Sequence, residues 1–384
     1  MHILWKRGLA MIRPRKAVES LQKYRPPREG RSGKLRLDFN ENTIGCAPQV
    51  LRTLRRALNA DWLSRYPEYE ECRRTLAKFF EVSADEILFS NGVDDAIKLV
   101  CDTFVDPGDV LLIPAPTFPM YQFFHSVAGG KTTVVHYDEN LRLPVQKILA
   151  ALTKRTRWVA LANPNNPTGT LISKSDLRTL LRAASDTLVL VDEAYFDFSG
   201  ETVLPWINSF QNLVVTRSFS KAFGLAALRM GFIFANSKLL AMMRRAHSAF
   251  PVNSLALACA LEAGKEKDYV RRYAQIVRAS RAELCRALDA LGVPYAPSAA
   301  NFVLARFGEK AEEIARRLRK RNILVRDWNY DPHLRDYLRI TVGSAAQTRF
   351  LIGELKRHEH LMDRRDGSGA WREFATYSPT GCFA

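Results

Sequence analysis

Asn212-Leu213-Val214-Val215-Thr216 is followed by Ser218-Phe219-Ser220-Lys221-Ala222-Phe223-Gly224-Leu225 and then by a second apolar run, Leu228 to Ala235. The apolar runs read as strands, so the segment between them sets one lysine among small and apolar residues. Most lysines of the chain sit among other charges and read as solvated; Lys221 does not. An amine held among apolar groups deprotonates readily and can condense with an aldehyde. Ser218 and Ser220 just before it and Arg229 just after it offer hydroxyls and a cation to a phosphate. An aldehyde joined to a phosphate describes pyridoxal 5′-phosphate. The alternative is a buried lysine stem with its head at the surface.

Outward from this segment, short apolar runs alternate with amphipathic ones from about residue 86. Strands are expected at 86–90, 109–113, 131–137, 157–162, 187–191, 212–216 and 230–234, with helical stretches such as 94–104, 144–152 and 174–184 between them. That alternation predicts an α/β fold with a mostly parallel sheet. Asp106-Pro107-Gly108-Asp109 reads as a turn. Residues 238–290 read as long, basic and helical, and strands are expected again near 301–306, 323–326 and 337–342. The expected organisation is an N-terminal arm (1–44) that completes a smaller domain, a large domain (45–250), the smaller C-terminal α/β domain (251–360) and a polar, disordered tail (361–384).

With 384 residues, 47% apolar and 25% charged, the chain has a soluble globular composition, and no apolar stretch is long enough to span a bilayer. Cysteines 46, 72, 101, 259, 285 and 382 lack metal-ligand spacing and read as reduced thiols of a cytoplasmic protein, with no metal site. The net charge of +17 is dispersed among acidic residues rather than gathered in one tract, which suits mild steering of anionic small molecules better than specific nucleic-acid recognition.

Other candidate site segments follow predicted strands, where open α/β sheets bind ligands. After 86–90 comes Ser90-Asn91-Gly92-Val93-Asp94-Asp95, where a glycine and a helix start can meet an anion. After 157–162 comes Asn163-Pro164-Asn165-Asn166-Pro167-Thr168-Gly169, a proline-stiffened turn able to present an asparagine amide. After 187–191 comes Asp192-Glu193-Ala194-Tyr195. A carboxylate there is costly to bury without a partner, which a pyridinium N–H would supply; a capping aspartate is the plainer reading.

Taken together these segments resemble the fold type I aminotransferases that use pyridoxal phosphate. Asn-Pro-x-Asn-Pro-Thr-Gly, Asp-Glu-Ala-Tyr and Ser-x-Ser-Lys-x-x-Gly-Leu-x-x-x-Arg-x-Gly occur in the family's order and spacing, over roughly residues 11–360. The resemblance implies a large domain with a mostly parallel seven-stranded sheet flanked by helices, and a homodimer. It also implies that Lys221 carries the cofactor and serves as general base, that Asp192 partners the pyridine nitrogen, and that Asn166 and Tyr195 bond the phenolic oxygen. Phe118 takes the place of the ring-stacking aromatic, which is tyrosine in many relatives. Gly92, Val93, Asp94, Ser218, Ser220 and Arg229 are implied to hold the phosphate, and Tyr66 resembles the tyrosine that reaches the neighbouring subunit's cofactor.

Within that family the chain most resembles the histidinol-phosphate aminotransferase subfamily. Leu37-Asp38-Phe39-Asn40-Glu41-Asn42, Arg65-Tyr66-Pro67, Ile323-Leu324-Val325-Arg326-Asp327 and Leu338-Arg339-Ile340-Thr341-Val342-Gly343 carry that likeness. It implies substrate contacts from Tyr24, Asn40, Arg326 and Arg339, and transamination of L-histidinol phosphate with 2-oxoglutarate in histidine biosynthesis. Aromatic amino-acid transamination and decarboxylation of a phosphorylated amino acid are the alternatives on the same scaffold. A DNA-contacting regulator is disfavoured, because about forty residues ahead of the strand region are too few for an added DNA-binding domain.

Overall fold

The computed structural model describes residues 12–19, 21, 30–138, 140–331 and 333–362. Eleven strands are formed among them: β1 (Leu35–Leu37), β2 (Ile87–Asn91), β3 (Val110–Ala115), β4 (Lys131–His136), β5 (Thr156–Ala162), β6 (Leu188–Asp192), β7 (Leu213–Ser218), β8 (Met230–Phe234), β9 (Phe302–Arg306), β10 (Ile323–Val325) and β11 (Tyr337–Thr341). Seven of them make one sheet in the order β2-β8-β7-β6-β5-β3-β4. Only β8 runs against its neighbours, β2 and β7. Each strand expected from the sequence is present, its ends within two residues of the expected ones.

Strand side chains alternate between faces, so each inner strand feeds two apolar layers. Val189 and Val191 join one layer with Val159, Leu161, Leu213 and Val215. Leu188 and Leu190 join the other with Trp158, Ala160 and Val214. The same period sets Asp192, Thr216 and Ser218 on the second face, and Arg217 on the first.

His125 braces that second layer. Its Nε2 lies 3.1 Å from the Asp109 carbonyl and 3.0 Å from the Lys131 carbonyl, and its Nδ1 accepts the Trp158 indole N–H at 3.0 Å. The proton therefore sits on Nε2, and burial lowers the imidazole's affinity for a second one.

The stretch 238–290, expected to be long and helical, is helical in three pieces. It divides into Ser237–Met243, Ser254–Lys265 and Lys267–Ala290. Pro251 lies in the first break, and the Asn253 side chain there accepts the Ala256 N–H to start a new helix.

At the C-terminal end of the chain β9 pairs antiparallel with β11, and β1 from the N-terminal stretch pairs in parallel with β10. An isolated antiparallel bridge, Arg326 with Arg339, joins the end of β10 to β11. The part of the expected tail from residue 363 onward lies outside the described residues.

Candidate active site

A pocket of about 360 Å³ opens where the ends of β5, β6 and β7 meet the segments after β1 and β10. It collects all but three of the residues expected to act on cofactor or substrate: Lys221, Asp192, Tyr195, Asn166, Phe118, Val93, Asp94, Ser218, Ser220, Arg229, Asn40, Arg326 and Arg339. A larger cavity of about 550 Å³ lies on the opposite face of the sheet, walled by Phe80, Phe196, Asp197 and Arg217. None of the expected residues except Ser218 reaches that cavity.

Asp192 ends β6 and is 5% exposed. It accepts the Tyr121 hydroxyl at 2.7 Å, the Ala194 N–H at 3.0 Å and the Thr216 hydroxyl at 3.2 Å. Burial pushes its carboxyl up to about 6, against the pull of these three donors. No cation pairs with it among the described residues, so a protonated ring nitrogen would be its first charged partner.

Lys221 lies between buried Phe219 and Ala222 along the chain, its Nζ donating to the Phe39 carbonyl at 3.0 Å. The ammonium lies 5.6 Å from the centre of the Tyr195 ring. The Tyr195 hydroxyl accepts the Asn40 amide N–H at 2.9 Å. Asn40 is held in the left-handed region at φ 57°, where asparagine is among the tolerated side chains. Thr341 and Asn301 fix it there by hydrogen bonds to its amide oxygen and its carbonyl.

In the asparagine turn the two neighbours divide the work. Asn165 is fully buried and ties the turn to Thr117, Pro116 and Thr168. Asn166 faces the pocket, its amide oxygen taken by Arg339. Its NH2 group is thus the donor left for a phenolic oxygen. Phe118 packs edge-to-face on Tyr121, ring centres 5.7 Å apart, so one tyrosine supports both the Phe118 ring and Asp192.

The residues present fit a phosphate. Gly92–Phe104 is a helix whose first residues lack a side-chain cap, leaving its N–H groups for an anion. The buried Ser220 hydroxyl has no hydrogen-bond partner, while the Ser218 hydroxyl accepts the Ser220 N–H at 3.1 Å. Gly92, at φ +77°, packs so closely on the Arg229 guanidinium that a Cβ would enter it. Gly92→Ala is therefore expected to strain the backbone and displace Arg229. Cofactor titration followed by fluorescence should show binding weakened about tenfold or more.

Three expected residues are not brought into this pocket's lining. Gly92 stands behind it, through Arg229. Tyr66 is 77% exposed and stacks on Phe250 at 4.3 Å, outside the lining of its own chain's pocket. Tyr24 lies outside the described residues. In turn the sequence reading missed Tyr121, Thr216, Trp328 and Tyr330. Tyr121 reads as one more apolar residue of a short helix, and its only signal is its place three residues after Phe118. Among the described residues no group of histidine, cysteine or acidic side chains could hold a metal, and no helix is long and apolar enough to cross a membrane.

The sequence model of the family described as aminotransferase class I and II matches residues 32–355. The histidinol-phosphate aminotransferase of Caldanaerobacter subterraneus is 35% identical over 327 residues, covering 84% of this chain and 92% of that protein. The enzyme of the same name from Symbiobacterium thermophilum is 35% identical over 350 residues, covering 89% of this chain and 94% of its own. Among solved structures, the histidinol-phosphate aminotransferase of Sinorhizobium meliloti in complex with pyridoxal-5′-phosphate superposes with a TM-score of 0.82 at 27% identity, covering 91% of this chain and 98% of that one. With the family's motifs gathered in one pocket and the match running over most of its length, the chain belongs to the class I and II aminotransferases.

Proposed function

We propose that the protein is a pyridoxal-phosphate enzyme that moves the amino group of L-histidinol phosphate to 2-oxoglutarate, a step of histidine biosynthesis. The observation that carries the substrate reading is the pairing of Arg326 and Arg339. They are 4% and 7% exposed, sit opposite each other across one bridge, and line the same pocket as Lys221. Two buried cations side by side suit a dianionic phosphate, and the Arg339 fork also suits the carboxylate of the keto acid. The relatives' names favour the same substrate.

When bound, pyridoxal phosphate supplies an aldehyde for the amine and a ring that accepts electrons. This chain's residues do the rest. Lys221, whose amine lines the pocket beside the Tyr195 ring, takes and returns the proton at the substrate Cα. Asp192, buried in the pocket, would hold a proton on the ring nitrogen of the bound group. The Asn166 NH2 group and the Tyr195 hydroxyl, the latter held by the Asn40 amide, would orient the phenolic side. Phe118, backed by Tyr121, limits the tilt of a flat group against the pocket wall. Exposure of the Tyr66–Phe250 pair supports a homodimer in which Tyr66 reaches a neighbouring copy, and the five described cysteines, all free, suit a cytoplasmic setting.

The test is a half-reaction series on cofactor-loaded protein with histidinol phosphate, phenylalanine, tyrosine and threonine phosphate, followed by cofactor absorbance. Histidinol phosphate should convert the cofactor fastest; conversion by phenylalanine alone would overturn the assignment. Arg326→Ala should raise KM for histidinol phosphate about 10- to 100-fold and for 2-oxoglutarate less. Equal losses would remove Arg326 from phosphate binding.

A further inference from the structure

Arg326 poses an electrostatic problem that its own neighbours solve only in part. Its Nη2 donates to the Tyr330 hydroxyl at 2.7 Å, whereas its Nη1 is buried without a hydrogen-bond partner. Among the described residues Arg326 forms no ion pair. Arg339 is bonded to it backbone to backbone, with N–H to carbonyl distances of 3.0 and 2.9 Å, so a second guanidinium stands on the same face. A buried cation with an unmet donor, beside another cation, calls for an anion.

The turn after β10 supplies what holds this pair. Trp328, 8% exposed, has its ring centre 5.5 Å from the Arg326 guanidinium carbon and 5.7 Å from that of Arg339. An indole face attracts both cations and offsets part of their repulsion. Tyr330 takes one corner of the Arg326 fork and so directs the remaining donors. The turn itself is bonded internally: Asp331 N–H donates to the Trp328 carbonyl at 2.8 Å, and the Asp331 side chain accepts the His333 N–H at 2.9 Å.

We infer that Trp328 and Tyr330 are positioning residues that aim Arg326 at the substrate's anion and thereby set the preference for a phosphate monoester over a carboxylate. A phosphate monoester brings close to two negative charges and three acceptor oxygens, enough to meet the open Nη1 of Arg326 together with Arg339. A carboxylate, with two oxygens, is taken up by the Arg339 fork and leaves the Nη1 of Arg326 unmet. The inference rests on the phosphorylated-substrate reading above and deepens it.

The experiment pairs two readouts on cofactor-loaded Tyr330→Phe, Trp328→Leu and Trp328→Phe. Calorimetric binding of inorganic phosphate is measured first, then steady-state kinetics with histidinol phosphate and with 2-oxoglutarate. In Tyr330→Phe the phosphate Kd and the KM for histidinol phosphate should both rise about tenfold, with kcat and the KM for 2-oxoglutarate changed about twofold or less. Trp328→Leu should behave likewise, and Trp328→Phe, which keeps an aromatic face, should recover most of the loss. Unfolding midpoints on the same samples separate a folding defect from a binding one. Equal KM changes for both substrates, or an unchanged phosphate Kd in Tyr330→Phe and Trp328→Leu, would overturn the role of these residues while leaving the reaction assignment in place. A wild-type protein that neither binds phosphate nor turns over histidinol phosphate would overturn both.

Discussion

Lys221→Ala is expected to lower kcat by at least ~10⁴-fold, because one change removes both a nucleophilic amine and the base for the Cα proton. Among the described residues no second lysine lines the pocket. The Tyr195 ring faces the ammonium, and Phe39 offers only a carbonyl. Lys221→Arg is the informative companion. It keeps a cation beside the Phe39 carbonyl and so preserves the local packing, but a guanidinium stays protonated and cannot serve as base. Both variants should fold and both should be inactive. Borohydride treatment followed by peptide mapping should put the cofactor's mass on the wild-type peptide containing position 221 and on neither variant. Substantial residual transamination in Lys221→Ala would mean that another residue carries the chemistry.

Asp192→Asn should have the next largest effect, a fall in kcat of roughly 10²–10³-fold, since a charge aimed at the site where positive charge must be held is replaced by a neutral amide. Its pH signature is distinctive. In the cofactor-free fold the carboxyl is pushed up to about 6, above the value of 3.8 for an aspartate in water. The folded state therefore binds the proton more tightly than the unfolded one. The ionised carboxylate penalises the fold above pH 6, and the penalty fades as the pH falls from about 6 toward 4. Two units correspond to ~3 kcal/mol between the extremes. Chemical denaturation of the cofactor-free protein at pH 4.5 and pH 7 should show this group's contribution, and Asp192→Asn should lack it. Loading the cofactor should flatten the wild-type dependence, because a pyridinium N–H gives the carboxylate its partner. If wild type and variant share one pH profile without cofactor, Asp192 is not the strained carboxylate described here.

Much of the fold was legible because its strands are buried on both faces. Runs such as Val189-Leu190-Val191 and Val214-Val215 are continuous apolar stretches bounded by turns, and such runs declare themselves without reference to the rest of the chain. The break after Met243 was not legible, since helical periodicity continues on both sides and only Pro251 and Asn253 punctuate it. The three-residue β1 was also invisible. It becomes a strand because β10 lies beside it, through pairing across nearly three hundred residues.

The sequence by itself determined the chemistry at the strand ends. Lys221, Asp192 and Asn166 lie at or just after the ends of apolar strands, and Arg229 just before one, in short motifs whose members are neighbours along the chain, so the sheet brings them to one edge. Tertiary structure alone decided what surrounds them. Tyr121 reaches Asp192 from 71 residues away, Asn40 reaches Tyr195 from 155, and Arg339 reaches Asn166 from 173. It also decided that Arg326 and Arg339 stand side by side with Trp328 against both. Such contacts depend on register and on the packing of distant strands, and residue type along the chain encodes neither until the sheet has closed.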